Sequence, residues 1–327
     1  MTLAADIRAP KARPQPLRAV LPLLLLAVLA AAPVALEAIG HGFWQVALTR
    51  GLIFSIAAMA LQLVLGRGGL VCFGFAAFMG IGAYAVAIPY FHRIEEGLIV
   101  LPLAVAAAAL FARLTGSVAL RTRGVYFIMI TLAFGQMAYY FATSLSIYGG
   151  DDGMSLWDRS LIAGQPLIAD DRVFYYLCLA IAALTWAGLA RLARSPLGQA
   201  LAAARLNEAR AEALGFDVGA IHRRAYVLAG ALGGLSGALL ANHALYVSPA
   251  FMSWHRSGEL IIMVVLGGFG SLTGAGFGAL LVVLLEEALS QLTLHWRILF
   301  GAIVLLVALF ARDGLAGALA RMTGRRS

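Results

Sequence analysis

The chain has 327 residues, 62% hydrophobic and only 12% charged. A soluble domain carries about twice that charged fraction, so a water-soluble globule is excluded, and the mean hydropathy of +0.89 agrees. The net charge of +8, from 24 basic and 16 acidic residues, is gathered into clusters between apolar runs, the pattern of membrane-orientation signals rather than of nucleic-acid binding.

A membrane span takes about 20 mostly apolar residues. Ten segments qualify: 18–36, 45–65, 70–91, 98–116, 124–145, 173–192, 224–245, 258–270, 274–293 and 296–311. An all-α, polytopic membrane protein of about ten transmembrane helices is expected, with tails at 1–17 and 312–327 around a membrane domain at 18–311. Alternating from an inside N-terminus sends Arg8, Lys11, Arg13, Arg18, Arg67, Arg113, Arg121, Arg123, the arginines of 191–224, Arg312, Arg321, Arg325 and Arg326 to one side. Glu37, Glu95, Glu96, Asp151, Asp152, Asp158, Asp170 and Asp171 fall on the other. The positive-inside rule then makes both termini cytoplasmic. The first span, with its basic lead and the small residues Ala30–Ala35, also has the look of a secretory signal; its long, Pro-rich lead favours an uncleaved anchor.

Within the third span, GGLVCFGFAAFMGIGAY (Gly68–Tyr84) places Gly74, Gly80 and Gly82 in an apolar helix. Glycine there costs about 1 kcal/mol relative to alanine, and the return is either close helix packing or a break lining a pathway. Gly80, Gly82 and Tyr84 are candidates for the second role. The fifth span, RTRGVYFIMITLAFGQM (Arg121–Met137), carries Thr131 and Gln136. A threonine hydroxyl bonds to the preceding turn; a glutamine is costlier to bury and points to a polar cavity or to the outer boundary. YGGDDGM (Tyr148–Met154) reads as a tight turn, with a docking surface as the alternative.

Between the sixth and seventh spans lies the basic, Ala-rich stretch Arg191–Arg224, with a cytoplasmic loop at about 193–223 that reads as one or two short helices ended by Gly215. A membrane protein needs such an elbow mainly when something soluble pushes on it. There is no G-x-x-x-x-G-K-[ST] in the chain, so ATP would be bound elsewhere. Further on, Glu259, Glu286 and Glu287 lie in or beside the eighth and ninth spans, where a carboxylate should face the bundle, a partner or water. His295 and Arg297 are the nearby candidates for pairing, and ion pairing is favoured over a proton relay. Leu266–Gly278 holds six glycines in thirteen residues and cannot be an ordinary helix; without a preceding strand and a following lysine it is no phosphate loop. Cys72 and Cys178 sit singly in apolar stretches, as packing residues, and no cluster has metal-ligand or catalytic spacing. Spans two to five and seven to ten start in opposite orientations, which points to an inverted repeat.

These residues carry a family resemblance. GFAAFMGIGAY (Gly74–Tyr84), RTRGVYFIMITLAFGQ (Arg121–Gln136), GGDDGM (Gly149–Met154), SPLGQALAAARLNEARAEALGFDV (Ser195–Val218), LAGALGGLSGALLA (Leu228–Ala241), VSP (Val247–Pro249), VVLGGFGSLTGAGFGA (Val264–Ala279), Arg297 with Phe300-Gly301, and Arg312–Leu315 occur in the expected order. Over about Leu52–Leu319 the chain resembles the LivM-type permease subunits of branched-chain (hydrophobic) amino-acid ABC importers. It departs from them at Gly69-Leu70-Val71-Cys72, at Glu286-Glu287 and at Asp313.

The resemblance implies a type II-importer-like permease in a bacterial inner membrane, with no catalytic residues and no cofactor of its own. It further implies a second, LivH-like permease subunit, two cytoplasmic ABC ATPase subunits that bind ATP and Mg, and an external substrate-binding protein. Arg205, Asn207, Glu208, Ala209 and Gly215 would form the ATPase-coupling loop, with arginines pairing to carboxylates of the motor. Gly80, Gly82, Tyr84, Thr131, Gln136 and Glu259 would be pathway candidates. Leucine, isoleucine and valine suit a mostly apolar pathway. Urea, short amides or another small hydrophobic or aromatic cargo are the alternatives in the same class. An ion-coupled secondary transporter with Glu259 or Glu286 as relay, or a passive channel, are those outside it.

Overall fold

The computed structural model describes residues 16–38, 42–293 and 295–310. Arg8, Lys11, Arg13, the C-terminal arginines and the Arg312–Leu315 motif lie outside the described residues, as do most of both expected tails.

All ten expected spans are helices. In chain order they are α1 (Pro16–Ala38), α2 (Gly42–Gln62, prolonged by a π-helical turn Leu63–Arg67), α3 (Phe75–Phe91), α4 (Gly97–Ala119) and α5 (Val125–Ser144). A short strand β1 (Met154–Ser155) precedes α6 (Asp171–Arg194) and the two elbow helices α7 (Pro196–Leu206) and α8 (Glu208–Ala213). Then come α9 (Val218–Ala244), β2 (Tyr246–Val247), α10 (Trp254–Gly267), α11 (Leu272–Leu292) and α12 (Trp296–Phe310). Among the described residues six helices are long and apolar enough to cross a membrane: α2 with its π-turn, α4, α5, α6, α9 and α11.

The third and eighth spans differ from expectation. With 17 and 14 residues, α3 and α10 rise about 1.5 Å per residue and fall short of a hydrocarbon core of about 30 Å. Each is preceded by irregular chain. Ahead of α3, Gly69 (φ 70°) breaks the helix and a methyl on Gly74 would strike the Thr131 carbonyl of α5. Ahead of α10, the 3-10 turn Pro249–Met252 lays Met252 against Gly80 of α3. The first turns of the two short helices meet, the Ala76 amide donating to Ser257 Oγ at 3.0 Å.

Two sets of four helices, α2–α5 and α9–α12, pack by one scheme. Helix α3 lies on α4 as α10 lies on α11, and α4 lies on α9 as α11 lies on α2. Helices α2 and α9 are the most deeply buried and pack on each other, joined by Ser236 Oγ donating to the Ile53 carbonyl at 2.9 Å. The π-turn of α2 lies at the end where α9 begins, so the sets start from opposite ends, as the hydropathy pattern implies. Helices α6 and α1 flank α2. Pro33 cannot donate to Leu29 in α1, and the freed Leu29 carbonyl accepts from Tyr175 of α6 at 2.7 Å.

Apolar side chains gain little from associating in lipid, so packing depends on close approach. Ala104, Ala108 and Ala112 of α4, four residues apart and fully buried, oppose Gly230 and Gly234 of α9. On the other side of α9, a methyl at Gly237 would overlap the Met79 carbonyl of α3, and one at Gly82 of α3 would overlap Gly234.

The acidic end is covered by residues 149–170. Gly149, Gly150 and Gly153 have φ of 91°, 53° and 76°, the tight turn expected of YGGDDGM. Strand β1 pairs antiparallel with β2, Met154 opposite Val247. Arg159 then pins the segment: Nε donates to the Asn242 carbonyl at 3.2 Å, Nη1 to the Ile168 and Ala169 carbonyls at 3.1 Å each, and Nη2 to Asp171. Its guanidinium lies 4.5 Å from the Phe174 ring centre.

Gly237→Ala forces the α3–α9 backbones apart and is expected to cost about 1–3 kcal/mol. Gly188→Ala, where a methyl meets nothing within 4 Å, should be neutral or stabilise by up to about 1 kcal/mol; thermal unfolding in detergent separates the two. Arg159→Ala should open 149–170 to limited proteolysis while the helical circular dichroism is kept, and Arg159→Lys should not restore protection, because one ammonium cannot serve carbonyls on three sides.

Candidate functional site

At the basic end the chain folds into a stiff elbow built from local caps. The Ser195 hydroxyl accepts from the Gly198 amide at 3.4 Å and Pro196 opens α7. Asn207, at φ −159°, both ends α7 and starts α8, its side chain accepting from the Arg210 amide at 2.9 Å. Gly215 turns the chain at φ 87°, and Asp217 caps α9 through the Ala220 amide at 2.9 Å. Each cap satisfies a helix-end amide that has no intrahelical partner.

Of the residues expected to face a motor, two engage their own chain. Arg205 donates through Nη1 to the Gly66 carbonyl in the π-turn of α2, its aliphatic stem lying 3.1 Å from where a side chain on Gly69 would begin. Glu208 pairs with Arg123 at 2.7 Å. Within the chain, α7 packs beside the end of α2, whose Gly66 carbonyl takes the Arg205 guanidinium. Ala209, Arg210, Arg223 and Arg224 are exposed.

Sequence reading missed the apolar residues of the elbow. Leu206, Leu214 and Phe216 are 88%, 71% and 42% exposed, while the small Ala204 and Ala211 are buried. Leu201 of α7 is buried with them, so the exposed large apolar residues are those at the helix ends and in the turn after α8. The signal was present as three large apolar residues in a polar stretch, but periodicity alone does not say which face of a short helix looks inward.

The pathway candidates separate into two groups. Gly80 and Gly82 are buried against Met252 and Gly234, and Thr131 is buried with its hydroxyl on the Ile128 carbonyl at 3.0 Å. Tyr84 is also buried, but its hydroxyl has no hydrogen-bond partner among the described residues. Gln136 is half-buried on α5, whose outward face exposes Tyr126, Met129, Met137 and Tyr140. Glu259 is paired with Arg256 at 2.6 Å.

Glu286 and Glu287 do not pair with His295 or Arg297. Both reach Arg50 of α2, at 3.1 and 3.6 Å, because α11 packs along α2 and brings together residues far apart in sequence. Arg50 and Arg256 lie 5.8 and 5.4 Å from the Phe54 ring centre, so the two ion-paired groups share one aromatic ring. Cys72 and Cys178 are buried and unbridged; Cys72, at one departure from the family pattern, lies 3.8 Å from the Tyr226 hydroxyl.

The family described as branched-chain amino acid transport system / permease component matches residues 45–309. The high-affinity branched-chain amino acid transport system permease protein LivM of Escherichia coli (strain K12) is 29% identical over 290 residues, covering 82% of this chain and 68% of the relative. The LivM protein of Salmonella typhimurium matches to the same extent, 29% over 290 residues. No solved structure matches the chain. The matched region runs from the start of α2 into α12 and takes in the elbow, the short helices and the glycine-rich link, and on that extent the chain belongs to the branched-chain amino acid transport system permease family.

Proposed function

We propose that the chain is the membrane-spanning subunit of an ATP-driven importer that carries leucine, isoleucine and valine inward, the cargo named for its relatives. The observation that carries the proposal is the elbow: two capped helices outside the membrane bundle, presenting Leu206, Arg210, Leu214 and Phe216 outward. Exposed apolar side chains ringed by charge mark a protein contact, and a carrier that works alone has no need of one there. Two ATPase subunits holding ATP and Mg would seat against it in the cytoplasm. Their approach on binding ATP would move the elbow as a rigid body, and hydrolysis would reset it.

The outer end fits a soluble donor of substrate. Trp157 is 88% exposed, and the amides of Trp157 and Asp158 are held on the Tyr90 hydroxyl at 3.1 and 3.2 Å. An exposed tryptophan on the same outer segment as Asp151, Asp152 and Asp158 suits a partner with an apolar notch in a basic rim. A second permease subunit, LivH-like, would cover α5, which is largely exposed along its length; at that face the half-buried Gln136 is the polar group available to cargo, the Tyr84 hydroxyl being enclosed within the chain. The ion pairs of Glu259, Glu286 and Glu287 support a structural role for these acids rather than a proton relay.

Reconstituted with its co-purifying partners, the chain should take up leucine only with both ATP and the external binding protein present. Uptake without ATP that follows a proton or sodium gradient overturns the proposal, and ATP-dependent uptake of urea or an amide in place of leucine changes the cargo alone. Leu214→Asp is expected to lower ATP-driven uptake about tenfold or more, as loss of an interface anchor of about 1.4 kcal/mol or above would, and to weaken retention of the ATPase subunits. Glu208→Ala removes only a surface ion pair worth about 0–1 kcal/mol, so the purified subunit should unfold within a few degrees of wild type.

A further inference from the structure

The π-helical turn at the end of α2 is held from two sides by polar contacts. On one side is the elbow. Arg205 of α7 donates to the Gly66 carbonyl, and Arg67 Nη1 donates to the Ala193 carbonyl, at the end of α6 just before α7, at 3.1 Å. On the other side is the glycine-rich link between α10 and α11. The side-chain amide of Gln62, 2% exposed, faces the Gly270 and Ser271 amides; two facing donors assign its oxygen to that side, where it accepts from them at 2.6 Å and 3.2 Å.

The geometry of the turn makes this double hold possible. A π-turn carries one residue more than an α-turn; here the Gly68 amide reaches the Leu63 carbonyl at 3.2 Å and the Leu70 amide the Val64 carbonyl at 3.1 Å. The Gly66 carbonyl is thereby left to Arg205. Gly66 also clears the space that the Gln62 side chain crosses, since a methyl there would collide with the Gln62 amide group. The link it reaches has little hold on itself. Gly268 and Gly270 stand at φ 110° and 92°, and the Ser271 amide makes only a 3.3 Å bond to the Gly268 carbonyl within the link. A buried amide side chain aimed at the backbone of a loop fixes that loop's position.

We propose that Gln62 is a positioning residue that ties the α10–α11 link to the elbow through the π-turn, so that displacement of α7 is delivered to α10. This rests on the elbow being where the motor acts. Helix α10 is the short span whose first turn meets α3 and which carries Glu259, so its displacement alters the middle of the bundle while the body of α2, deeply buried, stays in place.

The test compares Gln62→Met, which keeps the volume and removes the acceptor, with Gln62→Glu, which keeps an acceptor oxygen. The readout is leucine taken up per ATP hydrolysed by the reconstituted complex. Gln62→Met is expected to lower this ratio about tenfold, within the usual range of coupling between sites, while hydrolysis persists; Gln62→Glu should keep most of it. A wild-type ratio in Gln62→Met overturns the proposal. If that chain does not assemble, Arg205→Met probes the exposed half of the same junction by hydrogen exchange. Trapping nucleotide should alter exchange across 266–273 in wild type and no longer do so in Arg205→Met, and equal changes in both overturn the proposal. Failure of the importer reading shows separately, as wild-type uptake that needs no ATP.

Discussion

At the centre of this protein, three helices lie so close that nothing larger than hydrogen fits between parts of their backbones. Gly82 and Gly237 bring α3 and α9 together, and Gly230 and Gly234 let α9 settle against the alanine ridge of α4. In a lipid environment there is no water to drive apolar surfaces together, so dispersion contacts across these close approaches carry the association. Much else follows from that geometry. Because α3 is held so near α9, it can be short; because it is short, an irregular segment must bring the chain to it. That segment carries Gly69 against Arg205 and Cys72 against Tyr226.

The same scheme, repeated with α10, α11 and α2, explains where the charges went. Packing of α11 along α2 places Arg50 opposite Glu286 and Glu287, and the shared Phe54 ring brings Arg256 and its partner Glu259 into the same neighbourhood. Charged groups within reach of a bilayer are costly when alone. Here each carboxylate has a guanidinium within 4 Å, and the arginines cover an aromatic ring rather than lipid. The cluster therefore holds the ends of α2, α10 and α11 in register without demanding water.

Hydropathy made the helices legible. Every expected span contains a helix, and the Gly149–Gly153 run is a turn with left-handed residues. Of the glycine-rich stretch 266–278, expected not to be an ordinary helix, only 268–271 form a turn, while Gly274, Gly276 and Gly278 lie within α11, where they allow close packing. The elbow reads as one or two short helices ended by Gly215; that it is two follows from the side-chain caps Ser195, Asn207 and Asp217. What could not be read was long-range. The shortness of α3 and α10 depends on what Gly74 and Met252 touch in other helices. The partners of Arg205, Glu208, Glu286 and Glu287 are set by packing across more than a hundred residues in several cases. Gly80 and Gly82 carry the same sequence signal whether they pack or line a path, and only their neighbours distinguish these. The outward apolar face of the elbow was hidden for a related reason, because alanine satisfies an inward face as well as leucine does when helices lie close.

Arg159 adds a kinetic consequence at the opposite end. Its contacts to three carbonyls and a carboxylate, with the Tyr90 hydroxyl beneath Trp157, mean that the outer segment is already in its final shape before anything lands on it. Little backbone entropy of that segment is then left to lose at a contact, and its aspartates would accelerate encounters with a positively charged body in a way that salt suppresses. A soluble partner of the proposed kind would then arrive fast, and added salt would slow its arrival more than its departure.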